Sequence, residues 1–334
     1  MTYRKATAPN LRLSIRELVS LKSGIKELPE EEQITRFLGR VRGYHIPFTR
    51  EGGEVENHVV FITGSTSRAK KISELFENVK MHKHKERGSV GYTGFIRWKG
   101  ERVPVASIAS GMGSGQIEIV VAELIAANPA AIIRYGSCGA LKGHLKVGDL
   151  VIATFAVPCD SSFAWMTDEE VKRFYAPTMN SELVGPISRG LRTSGYTREE
   201  DERANGKPKY FFGGIQSKAL LYAQEIGVGP RALHFWEVKK KLEDIPSLLA
   251  SEMETALLYT MGRYYNGLIY KIEAPQMARA KKILFGSVNF LIGDYSQPFV
   301  EDAKVKKKIE NKLIKTVPNV AGEVYSVVRE LREL

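Results

Sequence analysis

The stretch Ile132-Ile133-Arg134-Tyr135-Gly136-Ser137-Cys138-Gly139-Ala140-Leu141 brings a guanidinium, a hydroxyl and a small-residue turn to the end of an apolar run. A strand that delivers such donors to its end can hold an anion. A buried strand with a tight turn and one surface arginine accounts for the same residues. Two other stretches have the same form. The strand His58–Thr63 runs into Gly64-Ser65-Thr66-Ser67-Arg68, and Val103–Ala109 runs into Ser110-Gly111-Met112-Gly113-Ser114-Gly115. Each turn opens a helix, where backbone N–H groups converge. Farther on, Glu252-Met253-Glu254 sets two carboxylates at a helix start. They could accept hydrogen bonds from hydroxyls, or simply complement the helix dipole.

The elements that must position these groups alternate in type. After the first strand, Ile72, Leu75 and Phe76 share a helical face. Val79 to Gly94 reads as a basic, glycine-rich connection, and Phe95–Trp98 and Val103–Ala109 read as a hairpin around Lys99-Gly100. A helix over 116–127 buries Ile117, Val120, Val121 and Leu124. Strands follow at 150–157, 211–217 and 283–289, with a helix from Ser251 and two C-terminal helical segments broken at Pro318. Residues 158–210 read as a surface excursion, and 218–247, with Tyr222, Gln224, Phe235 and Trp236, as a ligand cover. Strands alternating with helices predict an α/β fold whose sites lie beyond strand ends. The absence of G-x-G-x-x-G after the first strand disfavours a dinucleotide fold.

Composition narrows the class. The chain has 334 residues, 43% of them hydrophobic, enough for a sizeable core. No apolar run approaches membrane-spanning length, and Met1-Thr2-Tyr3-Arg4-Lys5 lacks a signal core. Its two cysteines, Cys138 and Cys159, fit a reducing cytoplasm and have no ligand neighbours at zinc spacing. The net charge of +11 suits an anionic ligand as well as nucleic acid. Without a nucleic-acid motif, the expectation is no nucleic acid and no membrane partner.

Taken in order, these turns resemble the nucleoside phosphorylase family that holds the bacterial-type hexameric purine nucleoside phosphorylases and the uridine phosphorylases. The resemblance covers residues 44–334, with insertions near 158–210 and 271–282, behind an N-terminal extension at 1–43. It implies a single three-layer-like domain with a central mixed sheet flanked by helices. The family's phosphate turn keeps its glycine and arginine as Gly64 and Arg68 but lacks Asp-Pro between them. Its partner-donated arginine is matched by Arg87 in Arg87-Gly88-Ser89-Val90-Gly91-Tyr92-Thr93-Gly94. Arg134 and Ser137 complete the implied phosphate set. His45, Met253 and Glu254 are the implied ribose residues, with His45 reaching a neighbouring subunit.

The base pocket departs from the family. Asn289 stands where purine-type members have Asp, and Phe290 where uridine-type members have Arg. Leu221, Tyr222 and Gln224, with Glu252 and Asn289, are the implied base residues. Arg231 and Asp294 are candidate replacements for the missing arginine and acid. The resemblance implies reversible phosphorolysis of a 6-oxopurine nucleoside or uridine to free base and ribose 1-phosphate, with Arg134, Asn289 and Glu254 carrying catalysis. Inorganic phosphate would be co-substrate, with no cofactor and no metal. Shared sites imply a homodimer or hexamer. The alternatives are a nucleosidase of the same fold and a nucleoside-binding relative that has lost catalysis.

Overall fold

The computed structural model describes residues 43–166, 169–170, 173, 175–201, 207–226, 228–229, 232–293 and 302–333. The extension at 1–42, Arg231 and Asp294 lie outside the described residues. Strand β1 (Val59–Thr63) is wholly buried, as its unbroken apolar run requires of a central parallel strand. It lies between β4 (Glu101–Ala109) and β5 (Ala131–Ala140), parallel to both. Beyond β4, antiparallel strands β3 (Val90–Trp98) and β2 (Glu77–Lys83) finish an open wing. The stretch read as a connection at 79–94 is thus mostly strand. Its alternation is weak because β2 is an edge strand with almost every side chain exposed.

On the other side the sheet closes on itself. β5 pairs with β10 (Leu284–Gly293) and with β9 (Leu248–Glu252). β10 pairs with β6 (Leu150–Cys159), β6 with β8 (Lys209–Lys218), and β8 with β9. Five strands therefore form a ring, and a two-residue strand β7 (Thr197–Arg198) hangs from β8. Parallel and antiparallel pairs both occur, so the sheet is mixed.

Helices cover the faces. Helix α1 (Thr66–Ser73) follows β1, and its N-cap Ser65 accepts the Arg68 N–H. Helix α2 (Ser114–Ala126) follows β4, while α5 (Thr255–Ile272) follows β9. Residues 158–210 do not form a surface excursion. Leu183, Ile187 and Leu191 recur at four-residue spacing and are fully buried, so α3 (Val184–Thr193) packs into the core. Between β8 and β9 lies α4 (Ala232–Glu243), and α6 (Pro275–Lys281) precedes β10. The chain closes with α7 (Ala303–Ile314) and α8 (Val317–Glu333), with Pro318 in the first turn of the latter, where its missing N–H is harmless. No described helix is long and apolar enough to cross a membrane.

Candidate active site

Arg134 lies in mid-strand on β5 and is only 3% exposed. Its side chain turns along the strand over Gly136. A Cβ at Gly136 would overlap the Arg134 guanidinium and the Asn289 carbonyl oxygen, so the arginine can take this path only above a glycine. Nη1 donates to Asn289 Oδ1 and Nη2 to Glu254 Oε2; the second carboxylate, Glu252, is 3.3 Å from Nη2. Asn289, fully buried beside Gly136 on β10, donates from Nδ2 to Ser287 Oγ at 2.9 Å. Both ends of its amide are therefore engaged.

The two glutamates have different tasks. Glu252 ends β9 and caps α5, accepting the N–H groups of Glu254 and Thr255 at 2.9–3.0 Å. Ser217, at the end of β8, also donates to it. Burial pushes the Glu252 carboxyl up to about 7; Arg134 opposes this and Glu254 adds to it. Glu254 accepts the Gly113 N–H at 2.7 Å. Gly113 holds φ = 84°, a left-handed conformation that suits glycine. The turn after β4 is thereby tied to the start of α5, with the Met253 side chain against Gly113. For Arg134, burial lowers the pKa, but the two carboxylates outweigh it and the net direction is up.

Arg68 approaches from the other face of the sheet. It is 6% exposed, donates from Nη1 to the Tyr135 carbonyl at 3.2 Å, and lies 4.9 Å from the Phe290 ring centroid. Glu310 of α7 is 3.8 Å away and also binds Lys71 at 3.1 Å. Burial lowers the Arg68 pKa, Glu310 opposing. Nε of Arg68 and Nε of Arg134 are both buried without a hydrogen-bond partner among the described residues. Such donors are costly to leave unmade, and an anion is their natural acceptor. Gly64, just past the end of β1, and Ser137, on the adjoining strand β5, are both half-buried.

Other expected site residues lie apart. His45 sits at the far half of α2, its backbone N–H and Nδ1 on Glu123 at 2.7–3.1 Å. Glu123 is nine helical steps from Ser114, roughly 14 Å along the axis. His45 therefore does not reach the Glu254 of its own chain. Arg87 is exposed in the β2–β3 turn, and Ser89 beside it donates to the His45 carbonyl. The two residues implied to cross to a neighbour thus share one surface. Leu221, Tyr222 and Gln224 form a wide turn after β8, with Tyr222 68% exposed and the Gln224 side-chain carbonyl accepting the Leu220 N–H at 2.9 Å.

The sequence reading passed over Asp160, Ser217, Glu123 and Glu310. Asp160 follows β6, is buried, and accepts from Ser162 while its Oδ2 has no partner among the described residues. Burial raises its pKa, the Ser162 bonds oppose this and Glu254 adds to it. Ser161 beside it donates to Ser114 at the start of α2, 2.8 Å away. The available signal was Cys159-Asp160-Ser161-Ser162, an acid and hydroxyls directly after an apolar strand.

The model for the phosphorylase superfamily matches residues 58–270, and the chain belongs to that family. The purine nucleoside phosphorylase DeoD-type of Thermoanaerobacter sp. (strain X514) is 30% identical over 234 residues, 64% of this chain and 81% of that protein. The DeoD-type protein of Anoxybacillus flavithermus is 32% identical over 205 residues, 60% and 74% of the two chains. Among solved structures, uridine phosphorylase from Vibrio fischeri ES114 superposes with a TM-score of 0.58 at 21% identity, covering 86% of this chain and 98% of that one. Purine nucleoside phosphorylase from Toxoplasma gondii, in complex with immucillin-H, reaches 0.62 at 16% identity, covering 86% and 97%. These two likenesses define the fold, a mixed α/β nucleoside phosphorylase architecture.

Proposed function

We propose that the chain is a nucleoside phosphorylase that cleaves a 6-oxopurine nucleoside or uridine with inorganic phosphate and no cofactor. The observation that carries this reading is the pair of buried arginines, Arg68 and Arg134, each with an Nε–H left unpartnered among the described residues. A phosphate oxygen attacks C1′ while the bond to the base breaks and its electron pair leaves with the base. Arg68, Arg134, Gly64 and Ser137 orient and neutralise the phosphate. Glu254 accepts from the ribose hydroxyls, and Met253 packs under the sugar.

Asn289 has no proton to give the departing base at neutral pH. With its amide engaged by Arg134 and Ser287, it acts as a positioning residue for the guanidinium. This favours bases that leave with their charge on a carbonyl oxygen, and the turn carrying Leu221, Tyr222 and Gln224 is the surface that reads them. His45 and Arg87 complete the site of a neighbouring copy, because they share one surface and His45 lies far from its own Glu254.

The test is base release from inosine, guanosine, uridine and adenosine, each with and without phosphate, with ribose 1-phosphate assayed as product. The expected result is phosphate-dependent release, weakest for adenosine. Equal rates without phosphate would make the chain a nucleosidase. Binding without turnover would make it a non-catalytic relative, and either outcome overturns the proposal.

A further inference from the structure

A second concave region lies away from these residues. A cavity of about 860 Å3 opens where β6 and β8 begin, beneath α7. That is within the size range of small-molecule pockets. It shares no lining residue with the Arg134 cluster. From Lys209 to Ser217 along β8 the extended chain spans about 25 Å, so the cavity and Glu252 lie at opposite ends of the strand ring.

Five lysines line the cavity: Lys146, Lys207 and Lys209 from the strand side, Lys308 and Lys312 from the helix. Lys146, Lys207 and Lys308 form no ion pair among the described residues. Two acids also reach the cavity, Asp149 and Glu199. Asp149 is buried, and its two oxygens accept the backbone N–H groups of Lys146 and Lys209, each at 3.0 Å. Its carboxylate is committed to closing the chain. On α7 the lysines continue as a stripe, Lys304, Lys308, Lys312 and Lys315, at three- and four-residue spacing. The one acid of that helix, Glu310, points the other way, to Lys71 and Arg68. Like charges at these spacings repel only weakly in water, and together they set up a positive potential that attracts an anion.

The remaining wall is apolar. Val147, Phe211 and Ile309 contribute to it, and the His144 ring lies against Phe211 with centroids 5.7 Å apart. We propose that this cavity binds a nucleotide carrying two or more phosphates, with the phosphates among the lysines and the base against the His144–Phe211 wall. Lysine ammonium groups bind phosphate as point charges, and a single phosphate would leave most of this set without a counter-charge. The aromatic wall asks for a flat ring system, which inorganic polyphosphate lacks.

Calorimetric titration of the full chain tests this, using a nucleoside triphosphate, the matching monophosphate, inorganic triphosphate and a short single-stranded oligonucleotide. The triphosphate is expected to bind, with the monophosphate at least about tenfold weaker and affinity falling as salt rises. The double variant Lys308→Gln, Lys312→Gln should weaken binding about tenfold while leaving the thermal midpoint unchanged. No binding, or equal binding to the variant, overturns the proposal. So does displacement of the triphosphate by inosine with phosphate, which would assign it to the Arg134 site. Equal affinity for inorganic triphosphate overturns the base contact. Tighter and more steeply salt-dependent binding of the oligonucleotide overturns a nucleotide ligand in favour of a nucleic-acid strand.

Discussion

Two concentrations of charge sit at opposite ends of the strand ring, and they obey different rules. Around Arg134 the charges are buried and closely paired: the guanidinium lies between Glu252 and Glu254 and donates to Asn289, Ser217 donates to Glu252, and the Arg134 Nε–H is left without a partner among the described residues. Lys308 and Lys312 are exposed and form no ion pair among the described residues, although Lys312 lies over the Tyr196 ring. The difference is desolvation. An unpaired charge inside the ring would cost several kcal/mol, whereas water screens a surface lysine for almost nothing. Balanced charge marks where the fold had to pay for burial, and surplus charge marks where the surface remains open to an anion.

Substitution of Arg134 should break this contrast most severely. Arg134→Met leaves two buried carboxylates facing each other, and the expected loss is about 3–5 kcal/mol in denaturant unfolding. A loss within about 1 kcal/mol would show that the cluster is not a charge-balanced unit. Gly136→Ala tests the same cluster through shape alone. The added methyl displaces the Arg134 guanidinium, at an expected cost of about 1–3 kcal/mol, together with loss of phosphate-dependent base release. Unchanged stability with unchanged activity would mean that the arginine does not need its path over the glycine.

Glu252 gives a smaller, pH-dependent effect. Its carboxyl is held near 7 in the folded chain, against about 4.3 when unfolded. Between those values the folded state keeps a proton that the unfolded state releases, so its contribution to stability falls as pH rises from about 4.3 to about 7. The thermal midpoint of the wild type should decline by a few degrees across that window from this group. Glu252→Gln should remove that part of the decline, and an identical profile in the variant would exclude Glu252 as its source. The lysine cavity supplies the lower bound, because Lys308→Gln should alter unfolding free energy by less than about 0.5 kcal/mol.

Much of the architecture was legible in local pattern. The apolar runs at 59–63, 132–133 and 284–288 are buried in strands, and Gly113 binds Glu254, but the expected turn from Gly136 is continuous strand, with Gly136 making room for the Arg134 guanidinium. The edge strand β2 was not legible, because an exposed strand has no buried face to impose alternation. Helix α3 was hidden in a polar context, although Leu183, Ile187 and Leu191 carried its period. The partners Glu123, Ser217 and Glu310 could not be read, since each acts across a long separation in the chain.

What the sequence determined by itself is the inventory: which apolar runs carry or lead to a guanidinium, which turns have room for backbone donors, and where a pair of acids precedes a helix. Residue type and short spacing suffice for that, because they set local geometry directly. Only the tertiary structure decided which of these groups meet. Closing β5, β10, β6, β8 and β9 into a ring set Asn289 and Glu254 against Arg134, and left His45 and Arg87 together on another surface. It also drew the lysines of α7 and those before β6 and β8 around one cavity, since strand pairing, not chain distance, fixes which loops are neighbours.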